Sequence, residues 1–308
     1  MNSRATPDLP ELLVIVGPTA SGKTDLAIQL AEQLNGEIIS ADSVQVYRQF
    51  DIGTGKPSHE QLARVPHHMI GVVEPAEHLD AASFAEQALS TISEIRSRAR
   101  TPIVCGGTFL WVKSLIYGLA EGPKANPEIR ARHRELVERS GRAALYAELL
   151  EKDPASAQRL SPNDFVRVSR ALEVLELTAI PMSRFHAQHG FAQARFRARL
   201  LGVQRTREEL DERILARTRA MLEAGWIDEV RRLVELGFSE CRAMGSVGYK
   251  QVFAALAQTG HPDPDELAIS IYRATRVFAR RQRTWLRDQK VEWLASVSEF
   301  DRSISTVP

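Results

Sequence analysis

The chain has 308 residues, a mass of 34.4 kDa, 44% hydrophobic and 26% charged residues. That leaves room for one large domain or two smaller ones and excludes a disordered or collagen-like chain. Forty Lys and Arg against 39 Asp and Glu give a net charge of +1, and no run free of these four types exceeds twelve residues (101–112 and 251–262), short of the roughly 18 apolar residues a membrane-spanning helix needs.

Glu11–Val16 (ELLVIV) predicts a buried strand, followed by a glycine-bearing loop, residues 17–24, and a helix over 25–35 with Leu26, Leu30 and Leu34 on one face. Gly36 is expected to stop that helix. Ile38 and Ile39 open a second apolar run that ends at Asp42, and residues 68–73 are a third strand candidate. An amphipathic helix is expected over 80–100, with Phe84, Ala88, Ile92 and Ile95 on one face. A fourth strand over 102–105 is closed by Gly106-Gly107-Thr108 and a helix, Phe109–Tyr117. Strands alternating with helices predict an α/β fold with a parallel sheet, and ligands bind at the carboxyl ends of such strands.

The texture changes at Glu121-Gly122-Pro123. From there to about Phe196 only helices are expected, one of them opened by Ser161 as N-cap and Pro162 at the first helical position. Residues 200–203 (LLGV) return to the sheet, and helices over 207–224 and 227–236 end at Gly225 and Gly237. The expected organisation is a core of residues 1–120 and 197–308 interrupted by a helical insertion, 121–196.

Cys105 and Cys241 stand far apart and form no CxxC pair, so no zinc site or disulfide framework is readable. Cys105 reads as a buried residue. The first ten residues lack the apolar stretch of a signal peptide, and a reducing cytoplasm fits. His67 and His68 are adjacent on an expected strand, point to opposite faces and cannot share a metal ion. His186 and His189 lack a third ligand.

The even net charge hides a local imbalance. Residues 272–290 hold seven cations and one acid, Asp288, so this segment carries +6 and the rest of the chain −5. Arg273, Arg276, Arg280, Arg283 and Arg287 follow 3-4-3-4 spacing, which on a helix makes one continuous stripe. A solvated face of this kind normally carries acids four residues away. Their absence favours a face that tracks a phosphate backbone.

Gly17, Pro18, Thr19, Ala20, Ser21, Gly22, Lys23 and Thr24 fit G-x-x-x-x-G-K-[ST]. In such a loop backbone N–H groups curl round phosphate oxygens, the lysine reaches the terminal phosphates and the Thr hydroxyl can hold Mg²⁺. The motif predicts a P-loop NTPase-like sheet and a bound oligophosphate, but no particular reaction. Asp42 can ligate Mg²⁺ through water, act as a general base, or cap the loop. Thr108 can place a hydroxyl beside the phosphates or cap a turn.

With these residues assembled, the chain resembles the tRNA dimethylallyltransferase family, which transfers an isopentenyl group to the N6 amine of the adenosine 3′ of the anticodon. The resemblance is carried by GPTASGKT (17–24), ADSVQVYR (41–48), DIGTGKP (51–57), GGTFLWVKSLIYGL (106–119), SPNDFVRVSRALEV (161–174), GSVGYKQ (245–251) and ARRQRTWLR (279–287). It spans about residues 12–294. The chain departs from the common pattern at Gln251, where many relatives carry Glu, and at Ala179-Ile180-Pro181, where they carry Gly-Lys-Pro.

The resemblance implies that the loop at residues 17–24 holds dimethylallyl diphosphate, with Thr24 near Mg²⁺. It implies that Asp42 is the general base, that Gln45 hydrogen-bonds the flipped-out adenine, that Thr108 sits near the bridging oxygen of the diphosphate, and that Lys23 and Arg217 neutralise the leaving group. The tRNA anticodon stem-loop would meet Asp42, Ser43, Val44, Gln45, Thr108 and Arg130. Further contacts would come from Val166, Arg167, Val168, Ser169 and Arg170, from Gly245, Ser246, Val247, Gly248, Tyr249 and Lys250, and from Val277, Arg280, Arg281, Gln282 and Thr284. No membrane or protein partner is readable. The P-loop and fold alone would also suit an ATP-dependent small-molecule or nucleotide kinase, which has no need of the arginine stripe. A non-catalytic RNA-binding protein would have no need of intact Lys23, Thr24, Asp42 and Thr108.

Overall fold

The structure, a computed structural model, describes residues 9–120, 122–190 and 193–300. Most of the N-terminal segment read as lacking a signal peptide, and Glu121 at the expected boundary, lie outside the described residues. The chain divides into two compact units, Met1–Ile116 with Arg195–Pro308 and Tyr117–Ala194.

The first half of the chain contributes β1 (Glu11–Val16), α1 (Lys23–Gln33), β2 (Gly36–Ser40), α2 (His59–Arg64), β3 (His67–His68), α3 (Ala81–Ser97), β4 (Thr101–Gly106) and α4 (Phe109–Tyr117). The helical unit holds α5 (Pro127–Lys152), α6 (Pro154–Ala157), α7 (Phe165–Thr178) and α8 (Met182–His189). β5 (Arg197–Val203), α9 (Arg207–Glu223), α10 (Trp226–Glu235), α11 (Tyr249–Thr259), α12 (Pro264–Leu286) and β6 (Val291–Leu294) complete the chain.

The six strands form one sheet in the order β3-β2-β4-β1-β5-β6, every pairing parallel. β1, β2 and β4 are almost wholly buried. That is why they read as continuous apolar runs rather than alternating ones. The register aligns Val16 with Gly106 and Ser40 with Cys105, so the loops after β1, β2 and β4 leave the same edge side by side. At Gly106 a Cβ would stand 2.1 Å from the Ala41 carbonyl oxygen. The missing side chain is what lets two of these loops touch, and Thr108 N–H donates to Ala41 O at 3.2 Å.

Several local expectations are corrected. The third strand is only His67–His68, because Met69 and Gly71 take positive φ (62° and 58°) and turn the chain away. Val73 instead forms an isolated bridge with Tyr47. The left-handed residue ending α1 is Asn35 (φ 49°), not Gly36, which starts β2. Asp164, not Ser161, caps α7 by accepting from Arg167 N–H. His68 hydrogen-bonds the buried Glu37, which also pairs with Arg98. Burial alone would raise the Glu37 carboxyl, but the bonds from Arg98 and His68 hold it below the usual carboxylate range.

In the helical unit, Leu145, Leu149, Ala157, Val168, Ala171 and Leu172 form the core. α5 is broken at Gly141, whose φ of 79° is non-helical.

Candidate active site

The phosphate loop joins β1 to α1. Gly22 caps α1 in the left-handed region (φ 97°) and offers no side-chain acceptor, so the first-turn N–H groups are left for an anion, the usual helix N-terminal arrangement. Lys23 folds back over the loop, with Nζ 3.4 Å from Pro18 O. Burial drives its ammonium below the ordinary lysine range, while Cys105 and Asp42 pull it up and Arg217 pushes it down. Burial likewise lowers Arg217, with Asp42 acting against it. Burial pushes the Cys105 thiol up to about 12, so this cysteine is a packing residue rather than a nucleophile.

Asp42 follows β2. Its Oδ1 accepts from Val44 N–H at 2.9 Å and Gln45 N–H at 3.3 Å, which fixes the carboxylate and leaves Oδ2 outside these bonds. Thr108 Oγ1 accepts from Ser43 N–H at 3.0 Å and lies 3.3 Å from Ser43 Oγ. The segments after β2 and β4 are thereby latched together. Gln282 of α12 adds the phosphate loop: its Oε1 accepts from Thr19 N–H at 2.8 Å and its Nε2 donates to Gly107 O at 3.1 Å.

A cavity of about 440 Å³ opens beside Thr19, Ala20, Asp42 and Thr108. Its remaining walls include Ile214, Arg217, Met221, Trp226, Val247, Ile271 and Phe278. Polar and apolar side chains thus share one lining. A second cavity of about 460 Å³ shares Ala20 and Arg217 with the first and is lined by Gly22, Lys23, Thr24, Lys56 and Arg213. Among the described residues no three His, Cys, Asp or Glu side chains gather as a metal group. Thr24, in the second cavity, offers one hard oxygen. That fits a Mg²⁺ ion whose shell is completed by phosphate oxygens and water.

Sequence reasoning missed three residues that build this site. Glu229 is buried and accepts from the N–H groups of Asp51, Ile52 and Gly53 at 3.0, 2.7 and 3.3 Å. It also accepts from Tyr249 Oη. One carboxylate therefore ties the DIGTGKP loop to the GSVGYK segment. Trp226 fills the space that Gly53 and Gly248 leave, since a Cβ on either would lie 2.0–2.2 Å from its ring. The signal was present: Trp226, Glu229, Val230 and Leu233 share one helical face, and an acid on an apolar face needs a partner. Arg213 donates from Nε to Ala20 O at 2.7 Å.

The expected tRNA contacts divide. Asp42, Ser43, Val44, Thr108, Gly245, Ser246 and Val247 line the first cavity. Arg281 and Lys250 are exposed, as are Arg167 and Val166, the last 73% exposed. Other residues are engaged within the protein. Gln45 does not line the cavity: its Nε2 donates to Gly55 O and its Oε1 accepts from Ser40 Oγ, each at 3.0 Å. Val168, Ser169 and Tyr249 are buried, and Gln282, also buried, lines the first cavity. Gly248, on a left-handed φ of 95°, receives the Gln251 side chain at its N–H, 2.8 Å away; Glu could fill that role equally. Arg130 and Arg170 both engage Glu173, which has no solvent exposure.

The arginine stripe on α12 does not face the Asp42 cavity. It lines a separate groove of about 1100 Å³ with Arg205, Arg207, Val277 and Thr284, and Asp211 is the one acid in its lining. That acid, from α9, pairs with Arg276 at 2.9 Å. Balancing charge thus comes from a neighbouring helix, which spacing along α12 could not reveal.

A parallel sheet with a phosphate loop between its central strand and α1, beside a cavity holding a fixed carboxylate, defines an α/β enzyme of the P-loop class. The family model described as IPP transferase matches residues 45–289. A tRNA dimethylallyltransferase of Sorangium cellulosum is 57% identical over 291 residues, 94% of this chain and 92% of the relative. One from Geobacter sulfurreducens is 46% identical over 299 residues, 96% and 95% of the two chains. Among solved structures, the tRNA isopentenylpyrophosphate transferase of Bacillus halodurans has a TM-score of 0.66 at 36% identity, covering 92% of this chain and 89% of that one. A eukaryotic dimethylallyltransferase acting on tRNA has a TM-score of 0.76 at 27% identity, covering 91% and 70%. The chain belongs to the IPP transferase family, among the tRNA dimethylallyltransferases. Among the described residues no helix is long and apolar enough to cross a membrane.

Proposed function

We propose that this protein transfers the dimethylallyl group of dimethylallyl diphosphate to the N6 amine of adenosine 37 of tRNA, beside the anticodon, and releases diphosphate. The observation that carries this reading is the placement of Asp42 and Thr108 in one cavity with Thr19 and Ala20 of the phosphate loop, Arg217 and the apolar side chains of Ile214, Met221, Ile271 and Phe278. A prenyl diphosphate combines the same two characters, an anionic head and an apolar tail.

An exocyclic amine is a weak nucleophile because its lone pair is delocalised into the ring. Asp42 Oδ2 takes the N6 proton as the new C–N bond forms and the allylic C–O bond breaks. The electron pair leaves with diphosphate, whose charge is met by Lys23, Arg217 and the loop N–H groups. Thr108, freed from Ser43, can donate to the bridging oxygen. The adenine leaves its stack to reach the cavity. Thr24 would hold Mg²⁺ on the diphosphate oxygens, where the ion supplies further charge neutralisation. Exposed Lys250, Arg280 and Arg281 would meet the anticodon stem-loop, and exposed Arg167 of the helical unit would be a further RNA contact. Cytoplasmic tRNA is the expected substrate pool.

The test is incubation of the full chain with an anticodon stem-loop and dimethylallyl diphosphate, followed by nucleoside mass analysis. A gain of one isopentenyl group on adenosine is expected. Phosphoryl transfer from ATP, without that gain, would make the protein a kinase instead.

A further inference from the structure

We propose that Arg205 and Arg213 form a guanidinium clamp on the outer flank of the phosphate loop that holds the terminal phosphate of the diphosphate, in substrate and in released product. The proposal rests on the prenyl-transfer reading for the identity of its ligand and extends the charge-neutralising set beyond Lys23 and Arg217.

Three observations carry it. The first is convergence. Arg213 sits one helical turn before Arg217 on α9, so both face the same way. Its Nε is tied to Ala20 O at 2.7 Å, which anchors the guanidinium against the loop. Arg205 arrives from a different segment, the link between β5 and α9. A Cβ built on Gly22 would lie 3.6 Å from Arg213 Nη2 and 3.9 Å from Arg205 Nη2. Two guanidinium groups thus meet over the residue that caps α1.

The second is the lack of an ion pair. Neither arginine pairs with a carboxylate among the described residues, and the buried Nε of Arg205 has no hydrogen-bond partner. Glu209 lies near enough that both cations help hold its carboxyl below the usual range, after the bond from Thr206 N–H, which is the main cause. That carboxylate is engaged at 2.7 Å by the same N–H. Cations held this close repel one another, and the buried ammonium of Lys23 and Arg217 border the same cavity as Arg213. A multiply charged anion satisfies all four, and the planar fork of arginine suits phosphate oxygens.

The third is position. Arg213 lines the cavity with Lys23 and Thr24, while Arg205 lines the arginine groove on the other flank. Arg205 therefore stands at the edge of the phosphate site, where the terminal phosphate would project.

Titration of the full chain with inorganic diphosphate, and separately with anticodon stem-loop RNA, tests the clamp. The buried Nε of Arg205 has no hydrogen-bond partner among the described residues, so Arg205→Ala removes no bond made there. A charge-assisted contact is worth enough that diphosphate affinity should fall roughly 10-fold or more, while RNA affinity, shared among many phosphate contacts, should fall by a smaller factor. Arg205→Lys, which keeps charge without the fork, should fall between and covers the case in which the alanine variant does not fold. Unchanged diphosphate affinity in both variants overturns the clamp. So does a loss confined to RNA affinity, which would assign Arg205 to the groove. A wild-type chain that binds diphosphate but transfers no prenyl group would sink the functional reading and leave the clamp standing.

Discussion

Thr19 N–H donates to Gln282 Oε1 at 2.8 Å across 263 residues of sequence. Gln282 Nε2 in turn donates to Gly107 O, so one side chain of the C-terminal helix holds the loops after β1 and β4 at a fixed separation. Gln282→Ala removes one buried and one part-buried bond and takes the Gln282 partner from Thr19 N–H and Gly107 O. The expected cost is about 1–3 kcal/mol, read as a lower denaturation midpoint together with weaker diphosphate binding. The salt dependence of tRNA binding should not move, because no phosphate contact is lost. A shallower salt slope with normal stability would restore Gln282 to the RNA surface.

Asp42 has two roles that different substitutions separate. Asp42→Asn keeps an oxygen for the N–H groups of Val44 and Gln45 but cannot accept a proton from adenine N6. It should transfer the prenyl group roughly 10²–10⁴ times more slowly, with tRNA affinity near wild type. Asp42→Ala should lose as much rate and also loosen the loop, seen as faster amide exchange at Val44. An asparagine variant with full activity would show that the carboxylate only shapes the turn.

The parts of the fold that were legible are those governed by local rules. Glu11–Val16 was bounded correctly because burial on both faces leaves an almost unbroken apolar run, Phe109–Tyr117 because it is apolar for most of its length after the Gly106-Gly107-Thr108 turn, and the phosphate loop announces itself by spacing. What local rules cannot carry is partnership at a distance. β6 (Val291–Leu294) is a strand only because β5 offers an edge. Gln45 and Gln282 matched an RNA-contact pattern, yet the fold turns both inward onto carbonyls and N–H groups from remote segments. Arg205 and Arg213 are unremarkable in sequence, and only the tertiary fold brings them to Gly22.

Lys23 should impart a pH dependence with a defined sign. Burial lowers its folded value below 10.5, and only the charged form attracts diphosphate. Affinity should therefore be full below the folded value and fall, by up to about tenfold per pH unit, as pH rises through it. Folding responds in the opposite sense. The cost of the buried charge is present at low pH and is relieved between the folded value and 10.5. Diphosphate titrations on the alkaline side should show the decline, and Lys23→Arg, whose charge does not titrate there, should flatten it. An equal decline in both proteins would assign the effect to the ligand.

Ala179 ends α7 in the left-handed region, with φ 58° and ψ 12°. A Cβ there costs about 1 kcal/mol or more, and glycine, the residue many relatives carry, removes the strain. Ala179→Gly should stabilise the protein by several tenths to about 1 kcal/mol in urea unfolding, with prenyl transfer unaltered. Destabilisation would mean that the Ala179 methyl makes compensating contacts.

The arginine stripe makes its own forecast, and the structure decides which residues should be changed. Arg276 is held by Asp211 and lies over the Tyr272 ring, so removing it disturbs packing between α9 and α12 as well as charge. The guanidinium groups of Arg280 and Arg283 make no hydrogen bond or ion pair among the described residues, yet both line the groove. The double change Arg280→Ala and Arg283→Ala therefore tests phosphate contact alone. Each lost contact removes about one released counterion, so the slope of log K against log salt should become shallower by roughly one to two units. Binding should weaken alike for every tRNA, because backbone contacts carry little sequence information. The transfer rate at saturating tRNA should stay near wild type, since the groove and the Asp42 cavity are lined by different faces of α12. Solvated arginines without a partner would instead leave both affinity and slope unchanged, and that result would remove the groove from the RNA-binding surface.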